Sequence, residues 1–282
     1  MPITSRGPEP ARLPSLLVSY VNLAAFRRNR HLAGFRSWVL DSGAYSALTS
    51  GAVIDLGRFT ADALELQETD PTLEAIFALD VIGDPERSIR NAETMIAAGM
   101  RAIPTFHHGS PMHYLADVAR LGDRIALGGM VQRGAGGHGT ALQYPQRLDF
   151  LNRCYASIWP KWVHGFGVAD ERIYSRVPLS SVDSTTWYYA QARYGSLIGV
   201  GRKICPSRSR NPGAFRSAAL RHIDLCSRAE ARASEAWRAR LAPTGLAGPE
   251  VRLATSGVAA EMRLLGEYAA LIGRPVPQPP SG

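Results

Sequence analysis

Three aspartates in this chain close short apolar runs: Asp41 ends "SWVLD", Asp80 ends "AIFALD" and Asp183 ends "LSSVD". Carboxyl groups gathered this way can do chemistry, because one carboxylate can attack an anomeric carbon while a neighbouring carboxyl carries the proton of the leaving group. Clustered carboxylates can equally hold a metal ion. A lone aspartate after a strand is usually a turn or helix-capping residue, which is the role expected of Asp84, but three at comparable places point past capping. Histidines stand at similar positions, His107 and His108 after "RAIPTF" and His164 inside "KWVHGFGV". Gly128 and Gly129 in "LGGM", and Gly165 in "HGFG", would let a flat ligand approach the backbone, whose N–H and C=O groups can read its edges. Tyr45, four residues past Asp41, offers a ring for stacking.

These residues need a frame that gathers strand ends. Short apolar runs bounded by turn residues predict eight strands, at 15–21, 37–41, 75–80, 101–106, 124–130, 161–168, 179–183 and 196–201. Helical patterns alternate with them. "DPERSIRNAETMIAAGM" opens with Asp84 as a cap and Pro85 in the first turn, and sets Ile89, Ala92, Met95 and Ile96 on one face. "SPMHYLADVARLG" repeats that grammar, with Ser110 as the cap, Pro111 next and Gly122 as the stop. Successive β-α units imply a parallel sheet, and at 282 residues its closure into an α/β (β/α)8 TIM barrel is expected, with the chemistry at the C-terminal ends of the strands. Arg202 and Lys203 would follow the eighth strand, where such barrels often hold phosphate. The expected organisation is a flexible stretch 1–14, a barrel 15–205, basic C-terminal helices 206–272 packed on it (helical patterns 213–241 and 248–272), and a disordered proline-rich tail 273–282.

Composition narrows the class. The chain is 45% hydrophobic and 20% charged, enough for one substantial core. It has no run of eighteen apolar residues and no apolar secretory centre near its start, so a soluble cytoplasmic protein is expected and no membrane partner. Cys154, Cys205 and Cys226 fit neither a disulfide framework nor a paired zinc site, and no metal or other cofactor is expected. The net charge of +8 is concentrated: residues 201–240 carry ten basic side chains, among them Arg202, Lys203, Arg208 and Arg210, against three acidic ones. That is the footprint of a polyanion partner, or else of a solvated arginine-rich helix face.

Taken in order, the motifs resemble those of the tRNA-guanine transglycosylases. "LDSGAY" is similar to their DSGGY/F signature, "ALD" to their base-recognising aspartate segment, "GGM" to their GG-Leu element, "HGFG" to their M-G-V-G element and "VDST" to the segment bearing their nucleophile, over about residues 37–203. The resemblance implies that a guanine in a polynucleotide is exchanged for a 7-deazaguanine base, such as a preQ0-like one, without breaking the backbone. It would make Asp183 the nucleophile at C1′ and Asp41 the general acid/base. Asp80 would pair with the Watson-Crick edge, Gly129 would offer a backbone N–H, and Tyr45 with His164 would sandwich the ring. His107 would fall near a base-contacting glutamine, with Ser42, Gly128 and Gly165 as further substrate-binding positions. The cysteine-rich zinc site of the tRNA-acting members is missing and the chain is shorter than theirs. Both departures look like the compact DpdA-type DNA transglycosylases of phages and bacteria, which implies DNA rather than tRNA as the polymer, a free 7-deazaguanine as the second substrate, Arg202, Lys203, Arg208 and Arg210 against the nucleic-acid backbone, and the host cytoplasm if the chain is viral.

Other readings stay open from the residues: the same exchange on tRNA, a metal-dependent hydrolase built on Asp41, Asp80, His107, His108 and Asp183, or a barrel that binds nucleic acid without acting on it. "RGAGGHG" (133–139) lacks the end of a phosphate loop and is expected to be a lid over the pocket. Trp187, Tyr188, His113 and His222 are expected to be packing residues.

Overall fold

The structure, a computed structural model, describes residues 13–133, 139–168, 170–184, 212–249, 251–256 and 262–274. It is a mixed α/β fold whose main sheet is parallel. The strands are β1 (Ser15–Ser19), β2 (Ser37–Asp41), β3 (Leu73–Phe77), β4 (Ala102–Ile103), β5 (Thr105–His107), β6 (Arg124–Gly128), β7 (Val131–Arg133), β8 (Gly139–Ala141), β9 (Trp162–Gly165), β10 (Ser181–Ser184) and β11 (Arg252–Ser256). Nine of them form one sheet in the order β4-β3-β2-β1-β11-β10-β9-β6-β5, and every pairing in it is parallel. The two strands at the ends of this order are neighbours in the chain, separated by Pro104 alone. Proline has no N–H to add to a ladder and so interrupts it. Its carbonyl still accepts from Ala126 N (2.9 Å), while Ile103 O accepts from Ala78 N (2.9 Å).

Strand side chains alternate between two buried faces. Leu17, Val39, Ala75, Phe77, Ile103 and Ala126, drawn from five strands, pack with Trp162 and Phe166 into one cluster. The alternate positions Leu16, Val18, Trp38, Leu40 and Ile76, and likewise Ile125, Leu127, Val163 and Val182, face the helical layer. Burial on both faces explains why these strands read as continuous apolar runs. The helix Pro85–Ala97 forms as its sequence predicts, with the Asp84 side chain accepting from Arg87 N and with Ala92 and Met95 fully buried. The next helix begins late, at His113 with no side-chain cap, so Ser110 is not its N-cap: the Ser110 N–H is used in a turn to His107 O (3.1 Å).

The eighth strand differs from expectation. Residues 196–201 lie outside the described residues, as do Arg202, Lys203, Cys205, Arg208, Arg210, Trp187 and Tyr188. The place beside both β10 and β1 is taken by β11, within a stretch read as helical. A five-residue strand with polar positions carries little local signal, and its pairing on both sides is what selects it. The connection into β11 contains the 30-residue helix Pro212–Leu241, and the helix Met262–Leu271 follows. The terminal stretches 1–12 and 275–282 also lie outside the described residues. No helix among the described residues is long and apolar enough to cross a membrane.

The basic segment divides at residue 212. On the long helix, Arg216 pairs with Glu267 (2.6 Å), Arg228 with Asp224 (2.8 Å) and Arg232 with Glu171 (3.6 Å), while Arg240 donates to Ser175 O (2.9 Å). Arg216, Arg232 and Arg240 tie the helix to neighbouring elements, whereas Arg228 and Asp224 pair one turn apart on the helix itself. The four residues expected against a nucleic-acid backbone all precede it.

Candidate active site

Parallel pairing brings the C-terminal ends of all nine sheet strands to one edge of the fold, and there the acids meet. Asp41 is the last residue of β2, opposite Ser19 in the register. Its carboxyl accepts from Gly43 N (3.2 Å) and from the Ser19 hydroxyl. Burial first, then the negative charges of Asp80 and Asp183, push its pKa up to about 8, further than those two hydrogen bonds pull it down. The chain turns sharply just after it. Gly43 has φ 81°, and a Cβ there would lie 2.8 Å from Ser19 Oγ, so glycine is what lets the strand end fold back over Asp41.

Asp80 stands three residues past β3. Ser42 Oγ donates to its Oδ1 (2.7 Å) and His107 Nε2 lies 2.9 Å from its Oδ2. Ser42 is wholly buried, so it orients Asp80 and is not placed to touch a substrate. His107 reaches across because Gly128, its register partner, leaves room: a Cβ on Gly128 would come within 2.7 Å of His107 Cδ2. Gly128 therefore clears a path for an imidazole and not for a flat ligand. Replacing it by alanine is expected to displace the ring, break the bond to Asp80 and lower stability by about 1–2 kcal/mol, read as a thermal midpoint lower by roughly 2–8 °C in calorimetry. An unchanged midpoint would mean that His107 has another place to go. Gly129 follows with φ 74°, its would-be Cβ 2.8 Å from His108 N, and only glycine is comfortable there.

Asp183 lies in β10, nearly buried. Gly167 N donates to its Oδ1 (2.6 Å), and Gly167 takes φ 70° to do so. His164 Nε2 is 3.6 Å from the same oxygen. The resemblance expected His164 to sandwich a ring at the mouth, and the structure puts it elsewhere: its side chain is 0% exposed, level with Ser181 in the register and so two residues below Asp183. Gly165 likewise faces away, since its would-be Cβ meets Val168 and Leu179, loop residues of the outer hydrophobic cluster. Among the described residues, Tyr45, 39% exposed, and Phe166, partly exposed, are aromatic rings near this edge.

Reading by residue type therefore finds Asp41, Asp80, His107 and Asp183, which the structure joins, and passes over Ser19, Gly167 and Phe166. The polar end of an apolar first strand and the second glycine of "HGFG" were the available signals. Of the lid expected at 133–139, residues 134–138 lie outside the described residues, and its flanks β7 and β8 pair as an antiparallel hairpin directly after β6. Among the described residues no three His, Cys, Asp or Glu side chains converge as a metal site would need.

The arrangement can present a proton-bearing carboxyl beside a second carboxylate, with a third held by a serine and a histidine. No protein-family model matches the chain, and no curated protein is significantly similar to it.

Proposed function

We propose that this chain is a base-exchanging transglycosylase, acting on DNA and replacing guanine by a 7-deazaguanine base. The observation that carries the reading is Asp41: a carboxyl with its pKa raised to about 8 is a proton donor at neutral pH, and the charge of Asp183 is among the causes of that shift. Two carboxyls of unequal role, one protonated and one attacking, are what retaining exchange at a sugar carbon requires.

In the proposed first step Asp183 bonds to C1′ and the C1′–N bond to guanine breaks. The electron pair leaves with the base, which takes the proton from Asp41. In the second step an incoming 7-deazaguanine gives its ring N–H proton to Asp41, its nitrogen bonds to C1′, and Asp183 is released, with retention overall. Asp80, already oriented by Ser42 and His107, would read the Watson-Crick edge, Gly129 would offer its backbone, and Tyr45 and Phe166 would flank the ring. A paired base hides its C1′ face, so the target nucleotide would be flipped out or single-stranded. Arg202, Lys203, Arg208 and Arg210 are the candidates for its phosphates.

The same proposal takes the sheet as a closed (β/α)8 barrel. Support comes from the meeting of its two end strands at Pro104 and from the single cluster formed by inward side chains of five strands.

The test is incorporation of labelled guanine into duplex DNA, single-stranded DNA and tRNA by the purified chain. Label entering DNA and not tRNA is the expected result, and it should survive exhaustive chelation. Label entering only tRNA would change the polymer, and no incorporation into any of the three would remove the reading.

A further inference from the structure

His164 has no part in the reaction as just described, yet its surroundings are built with care. Its ring is enclosed by Phe77 (4.6 Å between centroids), Phe166 (4.5 Å) and Trp162 (6.4 Å, stacked). Within that apolar box, among the described residues, two polar groups approach the ring, both from β10. Nδ1 lies 3.0 Å from Ser181 Oγ, and Nε2 lies 3.6 Å from Asp183 Oδ1. Nε2 is buried and has no hydrogen-bond partner among the described residues.

A neutral imidazole carries one N–H, and the Ser181 contact decides where it sits. If Nδ1 held the proton it would donate to Ser181, and the Nε2 lone pair would face a carboxylate oxygen in an apolar enclosure, which is repulsive. If Ser181 donates to Nδ1, the N–H is on Nε2 and points at Asp183, which is attractive. The remaining gap is a little longer than a hydrogen bond, and such bonds commonly tighten when the reacting complex forms.

We propose that His164, as its Nε2–H tautomer fixed by Ser181, is a positioning residue for Asp183. It and Gly167 N–H would both hold Oδ1, so that the bond to C1′ is made by Oδ2 in one orientation. This inference rests on Asp183 being the attacking group. His164 acts through that carboxylate and touches neither base nor sugar.

Two measurements test it. Imidazole ¹⁵N NMR of the full chain reads the tautomer without any substrate: a protonated Nε2 and an unprotonated Nδ1 are expected, with the Nε2–H proton moving upfield in D183N. A protonated Nδ1, or a resonance unmoved by D183N, would overturn the proposal. The exchange assay then compares H164Q, whose amide N–H can reach the place of Nε2–H, with H164F, which fills the aromatic box without a donor. H164F is expected to lose about 100-fold in kcat with KM for DNA within about 3-fold, and H164Q to stay within about 10-fold of the parent. Wild-type kcat in H164F, or an equal loss in both variants, would overturn it. If the parent chain exchanges no base, the reaction reading falls, while the NMR arm still decides the bond to Asp183.

Discussion

Asp183→Ala is expected to lower guanine exchange by at least about 10³-fold, because the reaction loses its nucleophile and water or the second base cannot readily replace a carboxylate held at the sugar carbon. That is a loss of about 4 kcal/mol in transition-state stabilisation. Folding should survive the change. The variant leaves Gly167 N without its acceptor, which costs about 1 kcal/mol, but it also removes one of the negative charges that oppose ionisation of Asp41. DNA affinity should fall by less than about 3-fold, since the attacking group contributes to the transition state and little to ground-state binding. The parent chain mixed with DNA and then denatured should give a covalent protein–DNA species that Asp183→Ala cannot form. Full turnover in the variant would end the assignment of the nucleophile, and turnover lost together with folding would be visible in the thermal melt.

Legibility in the sequence followed how local each cause is. The run "SWVLD" shows its bounds, Ser37–Asp41, in its residues alone, because a strand buried on both faces and closed by an acid is complete within five residues. The cap at Asp84 was legible for the same reason. What failed depended on partners far along the chain. β11 exists because β1 and β10 pair with it on either side, and nothing in 252–256 announces that. His164 and Phe166 alternate correctly toward the same face, but depth along the strand is a matter of register: two residues is about 6–7 Å, enough to separate a group at the rim from one beneath it. The motif alone puts Ser42 against the substrate, while the cross-strand approach of Asp80, which makes it an orienting donor, cannot be seen in one dimension. The arginines of Pro212–Leu241 looked like a polyanion site because composition counts charges and not their acidic or carbonyl partners on other elements.

Asp41→Asn should leave stability nearly unchanged at about pH 4 and raise it at about pH 8.5. In the unfolded chain the carboxyl titrates near 3.8, and in the folded protein near 8, so between those values the unfolded state releases a proton that the folded state keeps. Stability therefore falls as pH rises through that window, by about 1.4 kcal/mol per unit where the difference is complete, and levels off above about pH 8. Asparagine has nearly the same shape and no charge to lose. The variant is expected to exceed the parent by about 5 kcal/mol at pH 8.5, a thermal midpoint higher by roughly 10–20 °C, with the gap closing to within about 1 kcal/mol at pH 4. Exchange should move the opposite way, falling about 10²–10⁴-fold, because no proton is left to give the departing base. A gap in midpoint that does not change with pH would show that Asp41 is ionised in the folded protein, and would remove the proton donor on which the proposed chemistry depends. Stability gained where activity is lost is the expected signature of a site that holds a carboxyl against its own preference for water.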